Sequence, residues 1–183
     1  MSHIYLLALG SNQRHHRIGS PRQILDNVPD CLARAGMDVL DVAPILSSAP
    51  VGPSLRRYAN GAVLVRSDEA PEDMLATLKR IESAHGRDNR GQRWRSRTLD
   101  LDIILWSGGN YASSTLTIPH VLFRERPFVT APASVLAPLW KDPVTNFTLK
   151  QLHARLTKPH PLPREHRVVG PLAQSVEQLT FNQ

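Results

Sequence analysis

Two acidic residues lie two positions apart inside an otherwise apolar segment. Asp100 and Asp102 alternate with apolar residues over 99–106, Leu-Asp-Leu-Asp-Ile-Ile-Leu-Trp. Because side chains of a β-strand alternate between its faces, this pattern predicts a strand with both carboxylates on one face. Paired carboxylates fit a hard cation such as Mg²⁺, which binds one or two protein carboxylates together with substrate phosphates. The spacing equally allows one carboxylate to pair with Arg97 while the other faces water, so both interpretations stay open.

An arginine-rich segment comes directly before this predicted strand. Residues 87–98 contain five arginines and almost no aliphatic side chain. Arginine and Mg²⁺ both stabilise the charge on a phosphoryl group during its transfer, so carboxylates beside dense arginines favour phosphoryl transfer. A solvated basic loop and a surface for RNA phosphates are the alternatives. The sequence has no glycine-rich phosphate loop of the Walker type, so a nucleotide would be bound by another arrangement.

The composition limits the class of protein. The chain of 183 residues has a formal net charge of +6, from 22 Lys and Arg against 16 Asp and Glu, which favours anionic partners. Hydrophobic residues make up 41% of the chain, as in ordinary globular proteins. The single cysteine, Cys31, excludes an internal disulfide. Because no apolar run is long enough to cross a membrane and the start does not resemble a signal peptide, we expect a cytoplasmic protein.

The remaining pattern predicts the elements that would position these residues. Strands are expected over 4–9, 37–48, 58–65 and 99–106, with a short one over 115–118. Helices are expected in a stretch that starts at Pro21 and is kinked or divided by Pro29, from Pro71 to Gly86, and over 128–136. The order β-α-β-β-α-β with a short addition is typical of a ferredoxin-like α+β sandwich, an antiparallel sheet with helices packed on it.

The composition changes towards the end of the chain. From residue 158 onward, prolines and basic residues precede a polar end with few apolar side chains. Such a segment cannot bury enough apolar surface to offset the entropy of ordering it. We therefore predict one domain over residues 1–157 and a flexible tail over 158–183.

Several segments, in order and with matching spacing, resemble one known family. They are ALGSN at 8–12, PVG at 50–52, YAN at 58–60, GRDNRGQRWRSRTLDLDIIL at 86–105, and the pattern IPH…R.F over 118–128. Together they resemble the 6-hydroxymethyl-7,8-dihydropterin pyrophosphokinases of folate biosynthesis, from residue 5 to about residue 143. The resemblance implies transfer of the pyrophosphoryl group of ATP to the pterin hydroxymethyl group, with release of AMP. It also implies a ferredoxin-like α/β sandwich with two Mg²⁺ ions and long mobile loops.

The resemblance further implies roles for individual residues. The catalytic group would be Arg87, Arg97, Asp100 and Asp102, the two aspartates being the metal ligands. Contacts with the nucleotide would come from Leu75, Glu82, Arg90, Arg93, Trp94, Arg97, Ile103, His120 and Arg126. The pterin pocket would be formed by Ser48, Pro50, Val51, Tyr58, Asn60, Trp94 and Phe128. An amide such as Asn60 offers both a donor and an acceptor to the edge of a pterin, and Phe128 offers a flat face for stacking.

Two other functions remain open at this point. Between Pro53 and Tyr58 the chain is one residue shorter than the common family pattern and has the sequence Ser-Leu-Arg-Arg, so a diverged paralogue could act on a different hydroxymethyl-pterin. The positive charge is compatible with a ferredoxin-like RNA-binding module. Such modules display aromatic residues on their sheet for base stacking, whereas the matching strand here carries Asp100 and Asp102. We therefore expect ATP and a dihydropterin as partners, with no nucleic acid and no membrane. The sequence does not determine the oligomeric state, for which a monomer is favoured.

Overall fold

A computed structural model of the chain describes residues 2–48, 57–86 and 98–159. In chain order these residues form β1 (His3–Ser11), α1 (Pro21–Asp26), α2 (Val28–Arg34), β2 (Asp38–Val42), β3 (Leu46–Ser48), β4 (Tyr58–Ser67), α3 (Pro71–Ala84), β5 (Asp100–Trp106), β6 (Tyr111–Ala112), β7 (Thr117–Ile118), a 3₁₀ turn (Phe123–Glu125), α4 (Pro127–Leu136) and α5 (Leu149–Thr157). The predicted β-α-β-β-α-β order and α+β class are confirmed.

The main sheet is antiparallel and has the strand order β2-β4-β1-β5, with β3 pairing with the first residues of β4. Strand β1 pairs with a strand on each side, and most of its residues are apolar and buried. Its register brings three residues into one row, since Gly10 lies opposite Asn60 of β4 on one side and Asp100 of β5 on the other.

Helices α1, α2 and α3 cover one face of this sheet, where Leu7 and Leu9 are buried among helix side chains. Pro29 lies in the first turn of α2, and the predicted helical stretch is divided just before it, at Asn27. Helix α3 begins at Pro71 and ends before Gly86, as predicted. Gly86 has a φ of 82°, a left-handed conformation that ends helices and that only glycine adopts readily.

Helices α4 and α5 cover part of the opposite face, where they pack on Leu6, Ala8 and Ile104. The predicted helix over 128–136 is confirmed as α4, which tolerates Pro132 in its interior. Helix α5 was not predicted. Its sequence nevertheless has a start signal, because the Thr148 hydroxyl and the Gln151 side chain cap each other's backbone N–H groups.

A small hairpin follows β5. Strand β7 was predicted from residue 115 but begins at Thr117, and its partner β6 was not predicted. Of the described residues, none forms a helix long and apolar enough to cross a membrane. The predicted mobile loops and most of the predicted tail lie outside the described residues.

Candidate active site

The two aspartates lie on the same face of β5. Asp100 pairs with Gly10 and Asp102 pairs with Ala8 of β1, and both aspartates are partly buried. The intervening Leu101 is buried in the core beneath α1–α3. The alternation in the sequence therefore predicted the arrangement correctly, and both carboxylates lie on the side of the sheet that carries α4 and α5.

The surface beside the aspartates is built from small residues. Ala8 and Gly10 of β1 and Ala62 of β4 share the face of the aspartates, because directly paired residues of antiparallel strands point to the same side. A Cβ atom at Gly10 would lie 3.7 Å from the Cβ atom of Asp100, an ordinary contact distance. A methyl group at this position would therefore fit beside Asp100. Ala8 and Gly10 belong to the ALGSN segment that resembles the family, whereas no role was predicted for Ala62.

His120 lies next to the aspartates in the loop after β7. Its backbone N–H donates to the Ile104 carbonyl at 3.2 Å, and its Nδ1 atom accepts from the Leu122 N–H at 3.2 Å. Nδ1 is thus an acceptor, and the proton of the neutral ring is on Nε2. Burial lowers the pKa of His120, and the nearby Asp102 charge opposes this shift without cancelling it. The ring is therefore neutral at neutral pH and can donate from Nε2.

Arg126 and Phe128 lie at the start of α4. Arg126 is the residue that precedes the helix, and its guanidinium carbon is 5.9 Å from the centroid of the Phe128 ring. The charge of Arg126 also lowers the pKa of His120, although burial lowers it more. The structure therefore brings together four residues that the resemblance singled out, namely Asp100, Asp102, His120 and Arg126.

The residues expected to bind a pterin lie beside the aspartates. Asn60 of β4 is buried, with 5% of its surface exposed, and its amide nitrogen donates to the Ser48 hydroxyl at 2.8 Å. Tyr58 lies two residues earlier on the same face and pairs with Ser48 of β3. Because Asn60 shares its row with Gly10, which pairs with Asp100, these residues and the carboxylates form one continuous surface.

Three residues expected near the nucleotide lie on the other side of the sheet. Leu75 of α3 and Ile103 of β5 pack in the core between the sheet and helices α1–α3. Glu82 of α3 is buried, with 1% of its surface exposed, and its Oε1 atom accepts from the Leu101 N–H at 2.8 Å. A nucleotide that touched both these residues and the aspartates would have to cross the edge of the sheet at β5, the last strand of the described order.

The remaining expected site residues lie outside the described residues. They are Pro50, Val51, Arg87, Arg90, Arg93, Trp94 and Arg97. The end of β1 is hydrogen-bonded to the residues just before β5, because the Ser11 hydroxyl donates to the Thr98 carbonyl at 2.6 Å.

Paired carboxylates, a neutral imidazole and a guanidinium on one surface suit an enzyme that transfers phosphoryl groups, because such groups can bind Mg²⁺ and phosphate. The sequence profile of the 7,8-dihydro-6-hydroxymethylpterin-pyrophosphokinase family matches residues 6–138. The chain belongs to this family.

Individual relatives agree with this assignment. The chain is 37% identical over 138 residues to a 2-amino-4-hydroxy-6-hydroxymethyldihydropteridine pyrophosphokinase of Synechocystis sp., a match that covers 73% of this chain and 70% of that one. It is 36% identical over 134 residues to the enzyme of the same name from Pseudomonas aeruginosa, covering 72% and 79% of the two chains. The crystal structure of Plasmodium falciparum HPPK-DHPS is similar in fold, with a TM-score of 0.65 and 14% identity over 85% of this chain and 44% of that one.

Proposed function

We propose that the site described above carries out the reaction of the family, the transfer of the pyrophosphoryl group of ATP to 6-hydroxymethyl-7,8-dihydropterin in folate biosynthesis. The row formed by Asn60, Gly10 and Asp100 carries this proposal. Neighbouring strands are about 4.8 Å apart, so the backbones of Asn60 and Asp100 lie about 10 Å apart across the glycine. The Asn60 amide could therefore bind the edge of the pterin while the Asp100 carboxylate binds the metal ion on the phosphates of ATP.

Asp100 and Asp102 are the residues that would hold Mg²⁺, two ions being the number that the resemblance implies. The donors fit this metal, because both are carboxylates on one face of β5 and Gly10, which pairs with Asp100, has no side chain. In the part of the chain that the structure describes, no group of three or more His, Cys, Asp or Glu residues could hold a metal ion. Phosphate oxygens and water would complete the coordination, as is usual for Mg²⁺. When bound, Mg²⁺ neutralises charge on the triphosphate.

His120 and Arg126 would bind the phosphates from the side of α4. The neutral His120 ring can donate from Nε2 to a phosphate oxygen, and the Arg126 guanidinium can donate two bonds to another. The arginine segment before β5 would supply further charge, with Arg87 and Arg97 acting on the group in transfer and Arg90 and Arg93 holding the nucleotide. Leu75, Glu82 and Ile103 would then contribute from the edge of β5.

The pterin would lie on the surface next to β3 and β4. Asn60 is held by its bond to Ser48, so its carbonyl oxygen and its remaining amide proton keep a fixed orientation towards a ligand edge. Tyr58 and Phe128 would flank the ring, and Pro50, Val51 and Trp94 would complete the pocket.

The partners of the protein would then be small molecules. We propose a monomer in the cytoplasm, which binds neither nucleic acid nor a membrane. The edge strand β2 supports the monomeric state, because its pairing with β4 is interrupted by a register shift between Val39 and Asp41. Such an irregularity, together with charged side chains, opposes pairing with the edge of a second molecule.

Product analysis tests the proposed function. Purified protein is incubated with ATP, Mg²⁺ and 6-hydroxymethyl-7,8-dihydropterin, and the nucleotides and pterins are separated by chromatography. We expect AMP and the pterin diphosphate, because the pyrophosphoryl group moves as one unit. ADP as the sole nucleotide product would refute the proposal. Turnover of only a substituted hydroxymethyl-pterin would favour the diverged paralogue, and retention of RNA without turnover of any pterin would favour a binding module.

A further inference from the structure

Asp142 is a buried carboxylate outside the candidate site, with no exposed surface. Its oxygens accept bonds from Arg124 Nε at 2.7 Å and Nη2 at 2.6 Å, and from the Thr145 hydroxyl at 2.5 Å. The backbone N–H groups of Val144 and Thr145 also donate to it, each at 3.2 Å. Burial alone would raise the pKa of Asp142, but the bonds from Arg124, Thr145 and the Val144 N–H outweigh it and lower the pKa. Asp142 is therefore ionised and fully paired.

Arg124 belongs to the segment that carries the candidate phosphate-binding residues. It lies in the 3₁₀ turn, between His120 and Arg126 in the chain. Its guanidinium also lies 4.7 Å from the centroid of the buried Phe123 ring. Within the turn, the Phe123 N–H donates to the His120 carbonyl at 3.2 Å, and the Arg126 N–H donates to the Phe123 carbonyl at 3.3 Å. A displacement of Arg124 would therefore move both of its functional neighbours.

The other half of the pair belongs to a closed loop before α5. The Asp142 N–H donates to the Phe147 carbonyl at 2.9 Å, and the Asn146 N–H donates to the Asp142 carbonyl at 2.8 Å. The Leu149 N–H at the start of α5 donates to the Trp140 carbonyl at 2.9 Å. Because the loop is bonded to itself and continues into a packed helix, it is a fixed base for the Asp142 carboxylate.

Stability alone is a weak reason for a buried ion pair. The cost of removing two charges from water offsets much of their attraction, and apolar residues of similar volume often replace such pairs without loss. A bidentate arginine–carboxylate pair differs from an apolar contact because it fixes both the position and the orientation of the two segments. The segment fixed here is the turn that carries two candidate phosphate ligands.

We propose that the Arg124–Asp142 pair positions the turn of residues 120–126, so that His120 and Arg126 reach the nucleotide phosphates together. Arg124 is then a positioning residue rather than a catalytic one. The inference rests on the proposed function, because the phosphate roles of His120 and Arg126 belong to it.

The pterin surface should depend much less on this pair. The first turn of α4, which carries Phe128, is hydrogen-bonded to the Arg126 carbonyl through the Val129 and Thr130 N–H groups, but Val129 and Ala133 also fix the helix in the core. The Thr130 hydroxyl also lies 3.0 Å from His153 Nδ1 of α5. A change at Arg124 should therefore weaken nucleotide binding and leave pterin binding nearly unaltered, whereas a general loss of packing would weaken both.

The test uses three variants of the full chain. Arg124→Met removes the pair, and Arg124→Lys keeps the charge beside Asp142 but loses the two-pronged geometry. Arg155→Met is the matched control, because the guanidinium of this α5 arginine lies 4.5 Å from the ring centroid of Phe147, a residue of the loop that holds Asp142. Calorimetry measures the binding of an ATP analogue with a methylene bridge between its α- and β-phosphorus atoms, with Mg²⁺ present. Pterin binding is then measured with that analogue at saturation, and thermal unfolding is recorded for every variant.

We expect both Arg124 variants to bind the analogue about tenfold more weakly, the lower end of what the loss of an orienting partner typically costs. Pterin affinity should change by less than about twofold, and the Arg155 variant should match the wild type. The Lys variant keeps the test decisive if the Met variant does not fold. Equal losses for both ligands, or a lower Tm with unchanged nucleotide affinity, would overturn the inference. A wild type that forms no AMP would instead count against the proposed function.

Discussion

Strand β1 differs greatly between its two faces, although it lies in the centre of the sheet. Tyr5, Leu7 and Leu9 are large and buried beneath α1–α3. On the other face Leu6 and Ala8 pack under α4 and α5, and Gly10 lies beside Asp100. The core and the active-site floor are therefore separated by a single residue along the chain. Substitutions at two neighbouring positions of a strand should therefore differ in effect, one lowering the stability of the fold and the other lowering catalysis.

The largest effect is expected for Asp102→Ala on the site face. The change removes a proposed Mg²⁺ ligand, and a bound metal lowers the energy of the transition state by several kcal/mol. We expect AMP formation to fall by at least about 10³-fold, with thermal unfolding near that of the wild type. Binding of Mn²⁺, followed by electron paramagnetic resonance in the presence of the ATP analogue, should fall as well.

Leu101→Ala is the matched control on the core face of the same strand. Leu101 is 3% exposed, and truncation of a buried leucine costs about 2–5 kcal/mol of stability. The activity of each folded molecule should remain within a few-fold of the wild type. Near-normal turnover of the Asp102 variant, or loss of turnover by the fully folded Leu101 variant, would contradict the separation of the two faces.

Glu82 connects the faces, since it lies on the α3 side but accepts the backbone N–H between the two aspartates. Glu82→Ala leaves that N–H buried without its acceptor, which costs about 1–3 kcal/mol of stability. The start of β5 should shift, and we expect Mg²⁺-dependent turnover to fall about 10- to 100-fold, as for other residues that orient metal ligands. Glu82→Gln keeps an acceptor oxygen and should retain most of the activity. An Ala variant as active as the Gln variant would show that this bond does not position the aspartates.

The sequence could predict features that depend on neighbouring residues. The alternation around Asp100 and Asp102 identified their common face, and Pro71 and Gly86 marked the two ends of α3 correctly. Helix α5 could also have been predicted, because Thr148 and Gln151 form a capping pair and Leu149, Leu152 and Leu156 have helical spacing.

Contacts between distant residues could not be predicted in this way. The bond between Glu82 and the Leu101 N–H joins residues 19 positions apart, and Arg124 and Asp142 are 18 positions apart. Only the packing of α3 on β5, and of the 3₁₀ turn against the loop before α5, makes these residues neighbours. Family resemblance suggested a role for Glu82 near the nucleotide, but its hydrogen bond to the backbone of β5 was not predicted.

A smaller effect is expected from adding one methyl group to either face. Gly10→Ala places a Cβ atom on the site floor, and Gly61→Ala places one 3.6 Å from Leu9 on the core face. Alanine is about 0.5–1 kcal/mol more favourable than glycine inside a strand, so both variants should fold at least as well as the wild type. One methyl group in a binding site can cost about tenfold in kcat/KM, so only Gly10→Ala should lose activity. Steady-state kinetics with both substrates measures the difference, and equal kinetics for the two variants would refute a site floor at Gly10.

The smallest effect on activity is expected for Tyr5→Phe on the core face. The Tyr5 hydroxyl donates to the Glu69 carbonyl at 2.6 Å, and its loss should cost about 1 kcal/mol of stability. Burial, followed by the charges of Glu69 and Asp73, raises the pKa of Tyr5 to about 12. The folded state thus holds this proton more tightly than the unfolded state, whose tyrosine has a pKa of about 10. The stabilisation is complete below about pH 10 and is lost as the pH rises towards 12.

Denaturant unfolding between pH 8 and pH 12 tests the direction of this pH dependence. The free energy of unfolding of the wild type should fall more steeply above about pH 10 than that of Tyr5→Phe, by at most about 1.4 kcal/mol per pH unit for one proton. Turnover near neutral pH should be unchanged, because Tyr5 points away from the aspartates. Parallel pH profiles for the two proteins would contradict the raised pKa. A loss of turnover in the folded variant would instead mean that the two faces of β1 are coupled.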